Sequence, residues 1–221
     1  MTNIRKKSGT SKAKMLRIAR RLFRDEGYFS TSIRDIARAY GCKPANIYNF
    51  FPGKEEILFE VLREEMEKIM APISHIEEDE ITSPEQQLRT IIESHLEVTL
   101  TEGRAVGMRF DVSLDKLSTA KRKAIVDYRD AFDRIVRKVI MRGIERGCFI
   151  DIDVNLTGFM IASMITRTRV WFQPKKGVSV SELADFIYNF AIRSLKGEPV
   201  PAGKSRLGVT SDSGKAINPK K

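Results

Sequence analysis

With 221 residues, 42% hydrophobic and 31% charged, the chain is long enough to bury a core, and its two cysteines rule out a disulfide scaffold. The formal net charge of +10 is unevenly spread: residues 1–53 hold twelve Lys/Arg against three Asp/Glu, residues 54–196 hold 22 against 24, and residues 197–221 hold five against two. No leader-like apolar segment follows Met1 and no apolar run reaches the roughly 18 residues of a membrane span, so the reading is a soluble, cytoplasmic protein whose basic N-terminal part meets a polyanion.

Residues 1–10 read as a short basic arm carrying Arg5, Lys6 and Lys7, outside the folded part. From Ser11 to Arg24, the positions Met15, Leu16, Ile18, Ala19, Leu22 and Phe23 mark one face of an amphipathic helix that Gly27 closes. The next stretch, Thr31 to Lys54, organises the rest. Ile33, Ile36 and Ala37 recur at helical spacing, and Gly41-Cys42-Lys43 forms a turn. Pro44 opens a second short helix carrying Ile47, Tyr48 and Phe51. Thr31 and Ser32 are candidate caps, with Asp35 three residues beyond Ser32. This is a helix-turn-helix pattern, and Phe23, Ile33, Ile36, Tyr40, Ile47 and Phe51 are its expected core.

A helix of this kind enters the major groove with its N-terminal side chains at the base edges. Lys43, Pro44, Ala45, Asn46 and Asn49 are expected on that surface, the polar ones reading bases, with Tyr48 and Lys54 on phosphates and Thr31 and Ser32 on the DNA backbone. The motif run Gly27-Tyr28, Thr31 to Ala37, Ile47-Tyr48 and Phe50 to Leu58 resembles the DNA-binding domain of the TetR repressor family. The resemblance covers about residues 11 to 60. Phe50 departs from it, standing where many members carry His.

A fourth helix is expected from Lys54 to Pro72, carrying Ile57, Leu58, Val61, Leu62 and Met66, followed by a loop with the acidic run Glu77 to Glu80. Ser83-Pro84-Glu85-Gln86 then opens a helix reaching about Thr101. Further helices are expected around Arg104 to Leu114, from Ser118 to Arg146, from Val154 to Phe172 and from Val180 to Leu195, the last behind a Ser179 to Glu182 capping box. No segment alternates at period two. The fold class is therefore all-α with about nine helices. It divides into a DNA-binding domain (1–53), a ligand-binding and dimerisation domain (54–196) and a disordered tail (197–221).

Catalysis finds little support. There is no GxSxG, P-loop, GxGxxG or HExxH, and the only histidines are His75 in the loop and His95 in a helix, where a structural or solvated role outweighs a general base. Asp151, Asp153 and Asn155 open like a calcium loop, but Leu156 stands where the turn needs Gly. Neither a metal nor a cofactor is called for, and Cys42 and Cys148 read as small apolar fillers.

The family uses its C-terminal domain to bind a small effector and to dimerise, so a ligand pocket is the expectation there. Arg104, Met108 and Arg109 form one expected wall, and Met164, Arg167, Arg169 and Trp171 another. Arg167 and Arg169 sit in an apolar helix, so each must reach solvent, a carboxylate or an anionic ligand. The segment Arg169 to Pro174 with Ser179 to Asp185 resembles a TetR subgroup that senses acyl-CoA thioesters, although a planar drug or a free fatty acid suits the same residues nearly as well. The last two helices, with Phe159, Ile161, Leu183, Phe186, Ile187, Phe190 and Leu195, are the expected homodimer face. The resemblance implies a repressor that a small effector releases from a palindromic double-stranded operator. A regulator of drug efflux and a nonspecific DNA binder are the alternatives.

Overall fold

The computed structural model describes residues 2–102, 114–172 and 177–198, with side chains left out at 2–10, 101 and 102. Among these residues the chain forms eight α-helices and no strand. They are α1 (Thr2–Asp25), α2 (Ile33–Tyr40), α3 (Pro44–Tyr48), α4 (Lys54–Met70), α5 (Pro84–Glu97), α6 (Thr119–Glu145), α7 (Val154–Trp171) and α8 (Val180–Leu195). The expected helix around Arg104 to Leu114 and most of the tail lie outside the described residues.

α1 begins at Thr2 and absorbs the stretch expected to be a free arm. No proline separates it from the amphipathic segment, and the good helix formers Arg5, Lys6 and Lys7 carry the helix through Gly9, whose cost of about 1 kcal/mol does not end it. α3 ends at Tyr48 rather than running to Phe51. Phe51 precedes Pro52, whose ring disfavours helical backbone in the residue before it. Phe51 instead drops into the core, fully buried with Phe23, Ile36 and Ile47, while Ile33 and Tyr40 pack at its edge.

α4 joins the N-terminal helices to the rest. Lys12 on α1 pairs with Glu60 at 2.7 Å and Arg20 with Glu64 at 2.7 Å. After α4, a 3-10 turn at Ser74–Glu77 buries Ile73 and Ile76 and so pins a segment expected to be a solvated loop. Arg142 of α6 holds it, donating to the carbonyls of Ile76 at 2.8 Å and Glu77 at 2.6 Å and to Gln87 Oε1 at 3.0 Å. The Glu77 carboxylate faces Arg134 at 2.9 Å and Lys138 at 3.2 Å.

α5 stops four residues earlier than expected, and a π turn at Val98–Glu102 continues from it. The ends of α6 and α8 follow the sequence signals closely: Gly147 is left-handed at φ 69°, and Ser179 and Glu182 form the reciprocal capping box. Within α6, Gly143 is required by packing, because a Cβ there would lie 1.9 Å from the buried Phe149 ring. Asp153, considered above for a calcium loop, caps α7 by accepting from the Leu156 N–H at 2.8 Å.

Candidate DNA-reading head and effector core

The head is built by local signals. Ser32 Oγ accepts from the Asp35 N–H at 3.2 Å while Asp35 Oδ2 accepts from the Ser32 N–H at 2.9 Å, closing both ends of a capping box. Gly41 takes the left-handed backbone at φ 84°, so its N–H and that of Cys42 can both reach the Ala37 carbonyl. Pro44 starts α3 and Ile47 anchors it. The anchor turns Lys43, Pro44, Ala45, Asn46, Tyr48 and Asn49 outward, all exposed on one short surface. Ser32 is exposed beside them, and Phe50 packs against the core.

Two of the residues expected at the DNA are placed elsewhere. Thr31 is 1% exposed and its hydroxyl donates to the Gly27 carbonyl at 2.9 Å, so it organises the α1–α2 loop instead of meeting a phosphate. Lys54 donates through Nζ to the carbonyls of Tyr28 at 2.7 Å and Thr31 at 2.9 Å, and lies 4.1 Å from the centre of the Tyr28 ring. Burial pushes its pKa down. Lys54 is thus a strut from α4 to the loop, with two of its three ammonium donors committed inside the protein.

The head also grips the C-terminal helices. Glu55, one residue further along α4, accepts from the Ser118 N–H at 2.9 Å at the start of α6 and from Lys121 at 3.1 Å. These bonds hold its carboxyl below the usual range. Lys121 also reaches Glu56 at 2.9 Å, and Lys116 lies 4.9 Å from the Phe29 ring.

The expected effector residues do not all converge. Arg167 is exposed and Trp171 is half exposed, edge-on to Phe172; Met164 is partly buried. Arg104, Met108 and Arg109 lie outside the described residues. Among the described residues Met164 packs against the core and Arg169 turns inward, its Nη1 3.4 Å from Glu65 Oε1.

That contact leads to a cluster the sequence reading missed. Glu65 of α4 and His95 of α5 are each 4% exposed. Glu65 Oε2 and both ring nitrogens of His95 have no hydrogen-bond partner among the described residues. Desolvation pushes the Glu65 carboxyl up, against the pull of Arg169, Arg20 and Lys68. The His95 imidazole is pushed down to about 3, first by burial and then by the charge of Arg169, so the ring is neutral at pH 7. Its face meets Phe132 of α6 at 5.1 Å between centroids, and the Thr99 hydroxyl of the π turn donates to its carbonyl at 2.8 Å. A π turn beside such a cluster is a common feature of functional sites. Sequence position gave Glu65 no distinction from the other carboxylates of α4, and His95 beside Glu93 and Glu97 read as structural or solvated, with nothing to choose between the two.

Four of the seven residues of the expected dimer face are core: Ile161, Leu183, Ile187 and Leu195 are buried. Phe159 at 65% exposure, Phe186 at 55% and Phe190 remain on the surface, joined by Leu156 and Met160. Groups of three or more potential metal ligands are absent among the described residues, and no helix there is long and apolar enough to cross a membrane.

A short exposed helix braced by two others, mounted on an all-helical body with a buried polar cluster, defines a helix-turn-helix regulator. Residues 15–61 match the family model described as bacterial regulatory proteins, tetR family, and residues 82–195 match the tetracyclin repressor-like C-terminal domain. The chain belongs to the TetR family of transcriptional regulators, which are DNA-binding proteins and not enzymes. It is 25% identical over 179 residues to the transcriptional repressor KstR2 of Rhodococcus jostii, covering 80% of this chain and 87% of that one. The crystal structure of the TetR family regulator PfmR from Thermus thermophilus aligns with a TM-score of 0.74 at 28% identity, over 81% of this chain and 97% of that one. The fold is also that of AibR in its complex with isovaleryl coenzyme A and operator DNA, with a TM-score of 0.69 at 19% identity over 85% and 99% of the two chains.

Proposed function

We propose that the protein is a homodimeric repressor that a small acyl thioester releases from a palindromic operator. The observation that carries the DNA reading is the outward surface of α3, where Lys43, Pro44, Ala45, Asn46, Tyr48 and Asn49 are exposed on a helix anchored by Ile47. Asn46 and Asn49 suit the paired donor and acceptor of adenine, Lys43 suits guanine, and Tyr48 and Ser32 suit phosphates. Dimerisation through Phe159, Phe186 and Phe190 would set two heads on half-sites about 34 to 36 Å apart, or a multiple of that. The acyl thioester assignment draws support from AibR, a fold neighbour captured with isovaleryl coenzyme A and operator DNA, and from Arg167 and Trp171 on the exposed side of α7.

Release follows from the Glu55 joint. An effector that favours a different placement of α4 would move the heads out of register with the groove, and a coupling of about 1 to 3 kcal/mol weakens operator binding 5- to 150-fold. Selection from a random duplex library should recover a two-fold symmetric site. Fluorescence anisotropy on that site should show release by a saturated acyl-CoA. Tyr48→Phe should weaken binding to operator and random DNA alike, whereas Asn46→Ala should relax preference at one base pair by about 1 to 3 kcal/mol. Recovery of a site without symmetry would refute the dimeric reading, and an operator Kd unmoved by any acyl-CoA would refute the effector class.

A further inference from the structure

The cluster of Glu65, His95 and Arg169 is expensive if its only task is to hold the fold. An unpaired buried polar group costs about 1 to 3 kcal/mol, and apolar side chains of the same shape would avoid that cost. Arg169 offsets part of it on one side only, since its contact is to Oε1 while Oε2 and both His95 nitrogens are left without partners among the described residues. The three side chains come from α4, α5 and α7: Arg169 contacts Glu65, its charge acts on His95, and the Phe132 ring of α6 lies against His95. Polar groups kept at such a cost, on converging elements, are what a ligand site looks like before its ligand arrives.

The hydrogen-bonding character of these atoms narrows the occupant. A neutral imidazole offers one N–H donor and one bare nitrogen acceptor, and the unpartnered Glu65 Oε2 offers an oxygen acceptor, which becomes a donor as well when the carboxyl carries a proton. A plain alkyl terminus would leave every one of them unpaired. A carboxylate would set a second acid beside Glu65, whose contact with Arg169 already engages the one cation of the cluster, and the neutral His95 supplies no positive charge. A hydroxyl or ketone oxygen satisfies them. We infer that the effector carries a neutral hydroxyl or ketone oxygen on the apolar part that enters between α4, α5 and α7, and that Glu65 and His95 recognise it directly. This deepens the acyl-effector reading and rests on it.

The test uses the full-length protein and isothermal titration with hexanoyl-, octanoyl- and decanoyl-CoA, each beside its terminal-hydroxy and penultimate-keto counterparts. For at least one chain length, an oxygenated compound should bind about tenfold or more tightly than its plain partner, the ratio that one satisfied hydrogen bond supplies. His95→Phe should erase that ratio while leaving the plain compound's affinity intact, and should raise the melting temperature of the ligand-free protein. Glu65→Gln, which keeps an oxygen acceptor and presents an N–H donor without charge, should preserve the ratio. Equal affinities for plain and oxygenated compounds at every length overturn the inference and leave the acyl-effector reading standing. Binding of none of the nine overturns both. A His95→Phe protein that melts lower and loses plain and oxygenated ligands equally assigns His95 to the core and also overturns the inference.

Discussion

The head and the effector core handle polarity in opposite ways. In the head, the side chains that would meet bases stand in solvent on α3, and the buried polar residue Thr31 has its hydroxyl bonded within the same loop. In the effector core, two titratable side chains are 4% exposed and three of their polar atoms lack partners among the described residues. A surface that reads a large polyanion can leave its donors and acceptors to water until DNA replaces it. The buried cluster holds its polar groups inside at a cost to stability, which a bound ligand of the kind inferred above would offset.

The contrast can be tested from both sides. The largest effect is expected at the strut that keeps the head rigid. Lys54→Met removes two charged hydrogen bonds and the ring contact, and should cost about 2 to 3 kcal/mol of stability. Urea denaturation would measure that loss, and operator affinity should fall with it on specific and random DNA alike. A protein as stable as the parent that has lost only phosphate affinity would return Lys54 to the DNA surface.

The next effect belongs to the core. His95 is held neutral with a pKa of about 3 against 6.5 when unfolded, by burial and by the charge of Arg169, with the Phe132 ring against it. The unfolded chain therefore binds the extra proton, and stability falls as pH drops below 6.5. Between pH 6.5 and 5 this amounts to about 2 kcal/mol, and His95→Phe should lack that part of the decline. Parallel stability curves for the two proteins over this range would mean that His95 is not buried as described.

The smallest effect returns to the head. Ser32→Ala removes the cap of α2 and should lower stability by about 1 kcal/mol, visible as a drop in melting temperature. The same change should alter the body's ligand affinities very little. If both shifted together, the head and core would be more tightly coupled than the Glu55 joint suggests.

The reading head was largely legible in the chain itself. Ser32 with Asp35, Gly41, and Pro44 are signals spanning three or four residues, and each acts through backbone bonds that the same few residues complete. The Val180–Leu195 helix was legible for the same reason, with its capping box at Ser179 and Glu182. The early start of α1 was not, because the basic, polar stretch with Gly9 inside it reads as an arm, while the helix runs through Gly9 from Thr2.

What tertiary structure decided was the destination of individual side chains. Of the two arginines in α7, Arg167 reaches solvent and Arg169 reaches Glu65, 104 residues away. Lys54 bonds to carbonyls 26 and 23 residues before it instead of pointing to a phosphate. Ile161 and Leu183 went to the core while Phe159 and Phe186 stayed outside. Helical periodicity says which residues share a stripe, and the capping signals say where a helix starts. Which neighbour covers that stripe, and whether a buried acid and imidazole end up facing one another's cation, depends on how α4, α5 and α7 cross, and that is fixed only when distant helices pack.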